Sequence, residues 1–188
     1  ILNGADFRSE GKQPSEWTYS DARQLKFVVK KFEKKTLKTY PYQTIINYVL
    51  NNFIRRIRVI RPYYFIDYKK NFAKDFLIRK FNWTYYGGHH HENVFTKFAI
   101  SYWMTRKFNI DKRLITLSAQ ILNGEISRDN ALREISMPPY DNGTIEETIS
   151  YVLKKLDLSE TEFNDILQQE NKFYWDYPSY MPLINNYN

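Results

Sequence analysis

Apolar residues recur along most of this chain at the spacing of one helix face, and that period sets the expected elements. Residues 1–18 differ. Gly4, Gly11, Pro14 and scattered charges around a short apolar start read as the end of a strand running into a polar loop. From Ser20, a candidate N-cap, the positions Leu25, Val28, Val29 and Phe32 define a helix face opposite Lys26, Lys30, Lys31 and Lys34. After Pro41, the stripe Ile45, Val49, Phe53, Ile57 and Ile60, widened by Ile46, Leu50 and Ile54, predicts a well-buried helix from Thr44 to about Ile60. Asp67 can cap a further helix to about Phe81, with Phe72, Phe76 and Leu77 on its apolar side. Beyond Gly87-Gly88, the residues Phe95, Phe98, Ala99 and Tyr102 predict a helix to about Lys107. Asp111 is placed to cap a helix over Lys112–Leu122, which Asn123-Gly124 closes, and Ser127 to cap a short one through Ile135. Pro138-Pro139 break the chain, and Thr144-x-x-Glu147 and Ser159-x-x-Glu162 are capping boxes before two amphipathic runs. The aromatic residues 173–180 lack a helical period and read as an extended tail that packs back on the fold. No β-branched strand run follows residue 40 and no solenoid-length repeat is visible, so the fold class is mainly α.

Composition changes this picture little. The 188 residues suffice for a real core, and the high aromatic fraction, 16 Tyr and 13 Phe, supplies material for one. Charge adds more. A net +7 favours anionic partners such as nucleotides, sugar phosphates, nucleic acid or an anionic membrane surface. The run Arg55-Arg56-Ile57-Arg58 with Arg61 reads either as cations complementing a helix C-terminus or as an anion-binding or membrane-surface patch. The absence of cysteine removes disulfides, thiolate metal sites and a cysteine nucleophile, and fits a reducing, cytoplasmic setting. No apolar run approaches a membrane span. The start at Ile1 without a Met reads as a fragment or an excised domain.

The candidate chemistry concentrates in Gly87-Gly88-His89-His90-His91-Glu92, which holds every histidine of the chain. A glycine pair leading into a helix N-terminus suits a phosphate or carboxylate. Adjacent histidines argue against a compact metal site, because consecutive helical residues point about 100° apart and only His89 and Glu92 share a face. No metal is expected. Acid–base work by an imidazole oriented by a carboxylate fits better. Nucleic-acid binding ranks lower, because the aromatics fall mostly on the predicted core faces.

Several ordered motifs resemble the N-acetyl sugar amidotransferases of surface-polysaccharide biosynthesis. They are Tyr86-Gly87-Gly88 with His90, Glu92 and Thr96-Lys97-Phe98, then Lys107-Phe108-Asn109-Ile110-Asp111-Lys112-Arg113, then Asn123-Gly124-Glu125-Ile126-Ser127-Arg128 with Ala131-Leu132. The opening Asn3 to Gly11 and Trp17-Thr18-Tyr19 are similar to the family's segment near the end of its nucleotide-binding domain. The resemblance implies that residues 1–40 are the remnant of an α/β ATP-pyrophosphatase domain of the PP-loop, adenine nucleotide α-hydrolase-like class, and that residues 41–188 form a helical C-terminal domain. It implies an intact enzyme that adenylates an acetamido oxygen of a sugar or sugar nucleotide with ATP and Mg²⁺, then lets ammonia displace AMP. The ammonia is expected from a glutaminase and a cyclase-like partner. The chain contains no Ser-Gly-Gly-x-Asp-Ser phosphate loop, so on this reading it binds no ATP by itself and is inactive alone. His90 and Glu92 are the expected catalytic pair. Gly87, Gly88, His89, Lys112, Arg113, Arg8 and Glu10 are the expected phosphate- and substrate-binding residues, with His89 standing where the family usually has Lys. Asp111 is expected as a cap or as a site residue. The rival reading is a non-catalytic helical module that docks the glutaminase–cyclase pair or an anionic membrane. Convergence of the motif residues in one cleft would favour the enzyme, and scatter over a convex face the docking module.

Overall fold

A computed structural model of the chain describes residues 1–14, 17, 20–34, 36–88 and 91–185. It is mainly helical, as the apolar period predicts. In chain order the helices are α1 (Phe7–Glu10), α2 (Ala22–Glu33), α3 (Ile45–Val49) running into a π-helical turn (Leu50–Ile54), α4 (Lys70–Phe81), α5 (Val94–Lys97), a π-helix (Phe98–Trp103), α6 (Met104–Phe108), α7 (Arg113–Leu122), α8 (Arg128–Ser136), α9 (Ile145–Leu156), α10 (Glu160–Gln168) and α11 (Met181–Asn185). Among the described residues no strand forms, and the only bridge is a parallel one between Leu2 and Ile60. No helix among them is long and apolar enough to cross a membrane.

The chain divides into two compact units. The larger comprises Gly4–Lys12 and Arg61–Asn171. Its core is Phe98, Val152, Leu153 and Phe163, each at most 6% exposed, with Tyr102, Trp103, Ile149, Leu158 and Leu167 packed around it. The rings interlock: Phe163 lies 6.0 Å from Phe98 and 5.8 Å from Trp103, centroid to centroid. Burying such aromatics supplies most of the local driving force. Ser159 and Glu162 form the predicted capping box at the start of α10. The second predicted box does not form. At α9 the Thr144 side chain makes no cap bond, and Asp141 instead accepts from Gly143 N (3.0 Å) and Thr144 Oγ1 (3.1 Å). An Asx turn begun three residues earlier, at Asp141, outcompetes the box.

Other differences are equally local. The polar loop predicted for residues 1–18 contains α1, capped by Asp6, whose carboxylate accepts from Arg8 N, Ser9 N and Ser9 Oγ. Gly11 ends it at φ 68°, against α7; a Cβ there would stand 2.5 Å from Ile115 Cγ2 and 2.9 Å from its carbonyl oxygen. Asp67 does not cap α4. It pairs with Lys69 at 3.7 Å, and Glu125 accepts the free amide of Asn71 at 3.2 Å.

The smaller unit comprises Ile1–Asn3, Gln13–Ile60 and Lys172–Asn188. Asp21, one residue after the predicted Ser20, caps α2 through Gln24 N (2.8 Å). Its other oxygen accepts Tyr180 N at 2.6 Å, and Phe27 meets Tyr177 edge-on. The aromatic tail thus packs back as expected, but Tyr174–Asp176 form a 3-10 turn in place of a fully extended chain. The helix expected over Thr44–Ile60 ends at Ile54, and Ile60 pairs with the chain start instead. It is not buried either: Ile46, Phe53 and Ile54 are 71%, 69% and 70% exposed.

Candidate functional site

A cleft of about 770 Å³ opens within the larger unit, lined from the α4 face, the Trp83–Gly88 segment, the start of α7 and the turn after α8. Its cations come from separate places. Lys70 and Lys74 stand one turn apart on α4, Lys97 ends α5, and Lys112 precedes α7. All four are half-buried, and among the described residues none donates a hydrogen bond to protein or has a carboxylate within 4 Å. Burial lowers the Lys70 and Lys112 pKa values below the usual lysine range, while the field of Glu10 opposes the drop at both. Such ammonium groups gain from an anion that replaces the water they have lost.

An aromatic wall lines the same cleft. Trp83 contacts Tyr85 and Tyr86 with centroids 5.8 and 5.4 Å away, and Lys74 Nζ lies 4.8 Å from the Tyr85 ring centroid. Burial raises the Tyr85 and Tyr86 pKa values, with Glu134 adding to the first and a Glu92 hydrogen bond to the second. Glu92 is thus exposed but engages a phenol of the cleft wall.

The glycine pair has a narrower job than expected. Gly87 bends the chain at φ 89°, where a side chain would be strained. At Gly88 a Cβ would lie 2.4 Å from the His91 ring, so glycine is what lets that imidazole pack over the backbone and face the cleft. Burial first, then Lys97, lowers the His91 pKa, against a smaller opposing effect of Glu92. His91 is therefore largely neutral at pH 7 and able to accept a proton. The helix beyond starts only at Val94, and Asn93 Oδ1 takes the Thr96 amide at 2.9 Å. The predicted helix-terminus anion site does not follow the glycines directly; lysine side chains line the cleft instead. His89 and His90 lie outside the described residues.

Lys112 and Arg113 both reach the cleft but differ in state. All five guanidinium N–H groups of Arg113 are engaged: Nε with both Asp111 oxygens (3.1 Å), Nη2 with Asp111 Oδ2 (2.7 Å) and Met137 O (2.9 Å), and Nη1 with Glu134 O (3.0 Å) and Pro138 O (3.4 Å). Asp111 also accepts Arg113 N at 2.9 Å, which places it in the cap role. Lys107 is similarly architectural, donating to Ile166 O (2.8 Å) and Leu167 O (3.1 Å) at the end of α10. Of this charged motif, Lys112 alone presents an uncommitted cation to the cleft. Arg8 donates through Nη1 to Tyr63 O, and Glu10 acts on Lys70 and Lys112 through its field without lining the cleft.

Lys70 and Lys74 were not singled out by the sequence, and His91 was named only within the histidine run, with no role of its own. Lysines of an amphipathic helix look solvated until the tertiary fold turns them inward, and that turn is set by contacts 54 residues apart. Lys69 Nζ donates to Asn123 O at 2.7 Å, Asn123 Nδ2 to Tyr68 O at 3.3 Å, and Glu125 caps α4. The Asn123-Gly124-Glu125 turn was the available signal. Among the described residues no group of three His, Asp or Glu side chains is arranged to hold a metal.

Residues 92–188 match the family described as LPS biosynthesis protein WbpG-like, C-terminal domain. No curated protein and no solved structure matches the chain.

Proposed function

The chain belongs to the WbpG-like family of LPS biosynthesis proteins, and from that premise we propose that it forms the sugar-binding part of an ATP-dependent amidotransferase. The substrate is an acetamido sugar or sugar nucleotide, and the product carries an acetamidino group. The observation that carries this reading is the convergence of Lys70, Lys74, Lys97 and Lys112 with an aromatic wall and a neutral imidazole in one concave cleft. A convex docking face would scatter them.

In the proposed reaction the acetamido oxygen bonds to the α-phosphorus of ATP and pyrophosphate leaves. Ammonia then adds to the activated carbon, AMP departs with the oxygen, and the attacking nitrogen gives up a proton. The lysines of this chain hold the anionic part of the sugar substrate, and Trp83, Tyr85 and Tyr86 pack against its rings. His91 is the base that the geometry supports for the nitrogen proton, and His90, with Glu92, the one the resemblance supports. ATP and Mg²⁺ are assigned to a phosphate-loop domain elsewhere in the intact enzyme, because these residues include no such loop. Residues 1–40 are taken as the edge of that domain, and a glutaminase with a cyclase-like subunit as the ammonia source.

The test is AMP release by the intact enzyme, supplied with ATP, ammonium and an acetamido sugar nucleotide. Lys70→Ala/Lys112→Ala should raise KM for the sugar by at least about tenfold per lost charge contact. Near-normal sugar dependence would overturn the reading. Comparing His90→Ala with His91→Ala identifies the base, as the one that depresses kcat.

A further inference from the structure

The charge of the chain is concentrated where its apolar residues are least covered. Residues 22–60 carry ten lysines and arginines against one acid, Glu33, a net +9 that exceeds the +7 of the whole chain. All belong to the smaller unit, which buries only Ala22 and Ser179 among its described residues.

Within this unit, residues 45–56 alternate pairs of apolar and polar side chains: Ile45-Ile46, Asn47-Tyr48, Val49-Leu50, Asn51-Asn52, Phe53-Ile54, Arg55-Arg56. A repeat of four drifts around an α-helix of 3.6 residues per turn. Here the α-turn Ile45–Val49 passes into a π-turn, Leu50–Ile54, whose wider ring is closed by Arg55 N donating to Leu50 O at 2.8 Å. The wider turn reduces the drift, and Ile46, Phe53 and Ile54 stand 71%, 69% and 70% exposed. Every residue from 52 to 60 is exposed. Arg56 leaves the helix with φ 50°, and Arg55, Arg56 and Arg58 follow the apolar stripe directly. Lys26 of α2 lies 4.4 Å over the Tyr42 ring, which adds α2's basic face to the same unit.

We infer that residues 45–58, with the basic face of α2, dock the protein on an anionic lipid bilayer. The apolar pairs enter the headgroup–acyl boundary, and the arginines and lysines meet lipid phosphates. Charge complementarity selects this occupant: a stripe of large aliphatic side chains and Phe53, edged by arginines and free of acids, has the composition of an interfacial amphipathic helix. A partner protein would be expected to meet some carboxylate in so wide a surface, for pairing or exclusion. The surface lies in the smaller unit and shares no residue with the cleft.

The test is co-sedimentation of the chain with vesicles of phosphatidylcholine alone and of phosphatidylcholine and phosphatidylglycerol in equal parts. Binding is expected to the mixed vesicles, little to the neutral ones, with loss in high salt. Arg55→Glu/Arg56→Glu/Arg58→Glu should weaken binding by more than about tenfold, and Phe53→Asp/Ile54→Asp should abolish it. Both alter exposed side chains, and an unchanged far-UV circular dichroism spectrum establishes that they fold. Phe65→Asp, equally exposed but in the larger unit, should bind like the parent. Absence of sedimentation with mixed vesicles, equal binding by the Phe53/Ile54 variant, or exclusive capture of an acidic soluble protein would each overturn the inference.

Discussion

Phe163 and Phe53 sit on helices of similar sequence amphipathicity, yet Phe163 is 6% exposed in the larger unit and Phe53 69% exposed in the smaller. The contrast extends to their neighbours. Phe163 has Phe98, Tyr102 and Trp103 around it, contributed by a helix some 60 positions earlier in the chain, whereas Phe53 is flanked by Asn51, Asn52 and arginines. Apolar periodicity thus identifies a face and says nothing of whether this chain covers it. In one unit it reports a core, in the other a surface with a use of its own.

The widest gap between the units should appear in core truncation. Phe163→Ala should destabilise the larger unit by about 3–5 kcal/mol in urea denaturation, while Phe53→Ala should stay within about 0.5 kcal/mol. Equal losses would mean that Phe53 is buried in solution. Next is Arg113→Ala, which strands Asp111 and three carbonyls; a loss of about 2–3 kcal/mol is expected. Lys112→Ala should instead leave stability unchanged or raised, because it removes a desolvated charge; pyrophosphate is expected to raise the Tm of the parent and to raise that of this variant less. The pair separates an architectural cation from a ligand-binding one.

A smaller effect concerns His91. Its folded pKa is lowered, so the unfolded chain binds more protons once pH falls toward and below about 6.5. Its contribution to stability is thus complete above that value and lost as pH falls through the lowered one. His91→Gln should flatten this part of the stability profile. The smallest expected change is for Gly88→Ala, which displaces the ring and should move the His91 titration, followed by NMR, back toward 6.5.

The order of the longer helices could be read from period and caps, because both are local: Ser127 and Ser159 cap where their motifs say, whereas the short α1 and α11 gave no such signal. Thr144 failed because Asp141, three residues upstream, offered a competing turn, and Asp67 because Glu125 took its role from 54 residues away. The site was legible in part. Gly87, Gly88 and Lys112 were placed in the cleft by their motifs, but the motif around Lys107, Asp111 and Arg113 is mostly scaffold, a distinction that spacing does not carry. Lys70 and Lys74 became visible only when the turn at Asn123 fixed the rotation of α4.

The saturation of Arg113 has a kinetic corollary. With five donors spread over Asp111, Glu134, Met137 and Pro138, the turn after α8 and the start of α7 open only together, as one slow cooperative event. The rim at the Gly87 bend carries tilted and edge-on rings, and its Tyr86 phenol is held by the single carboxylate of Glu92 rather than by such a clamp. Amide exchange should accordingly be faster across residues 83–88 than across 134–138. On the proposed function, a bulky sugar would enter past the tyrosines, with the proline side as the fixed jamb of a one-sided door.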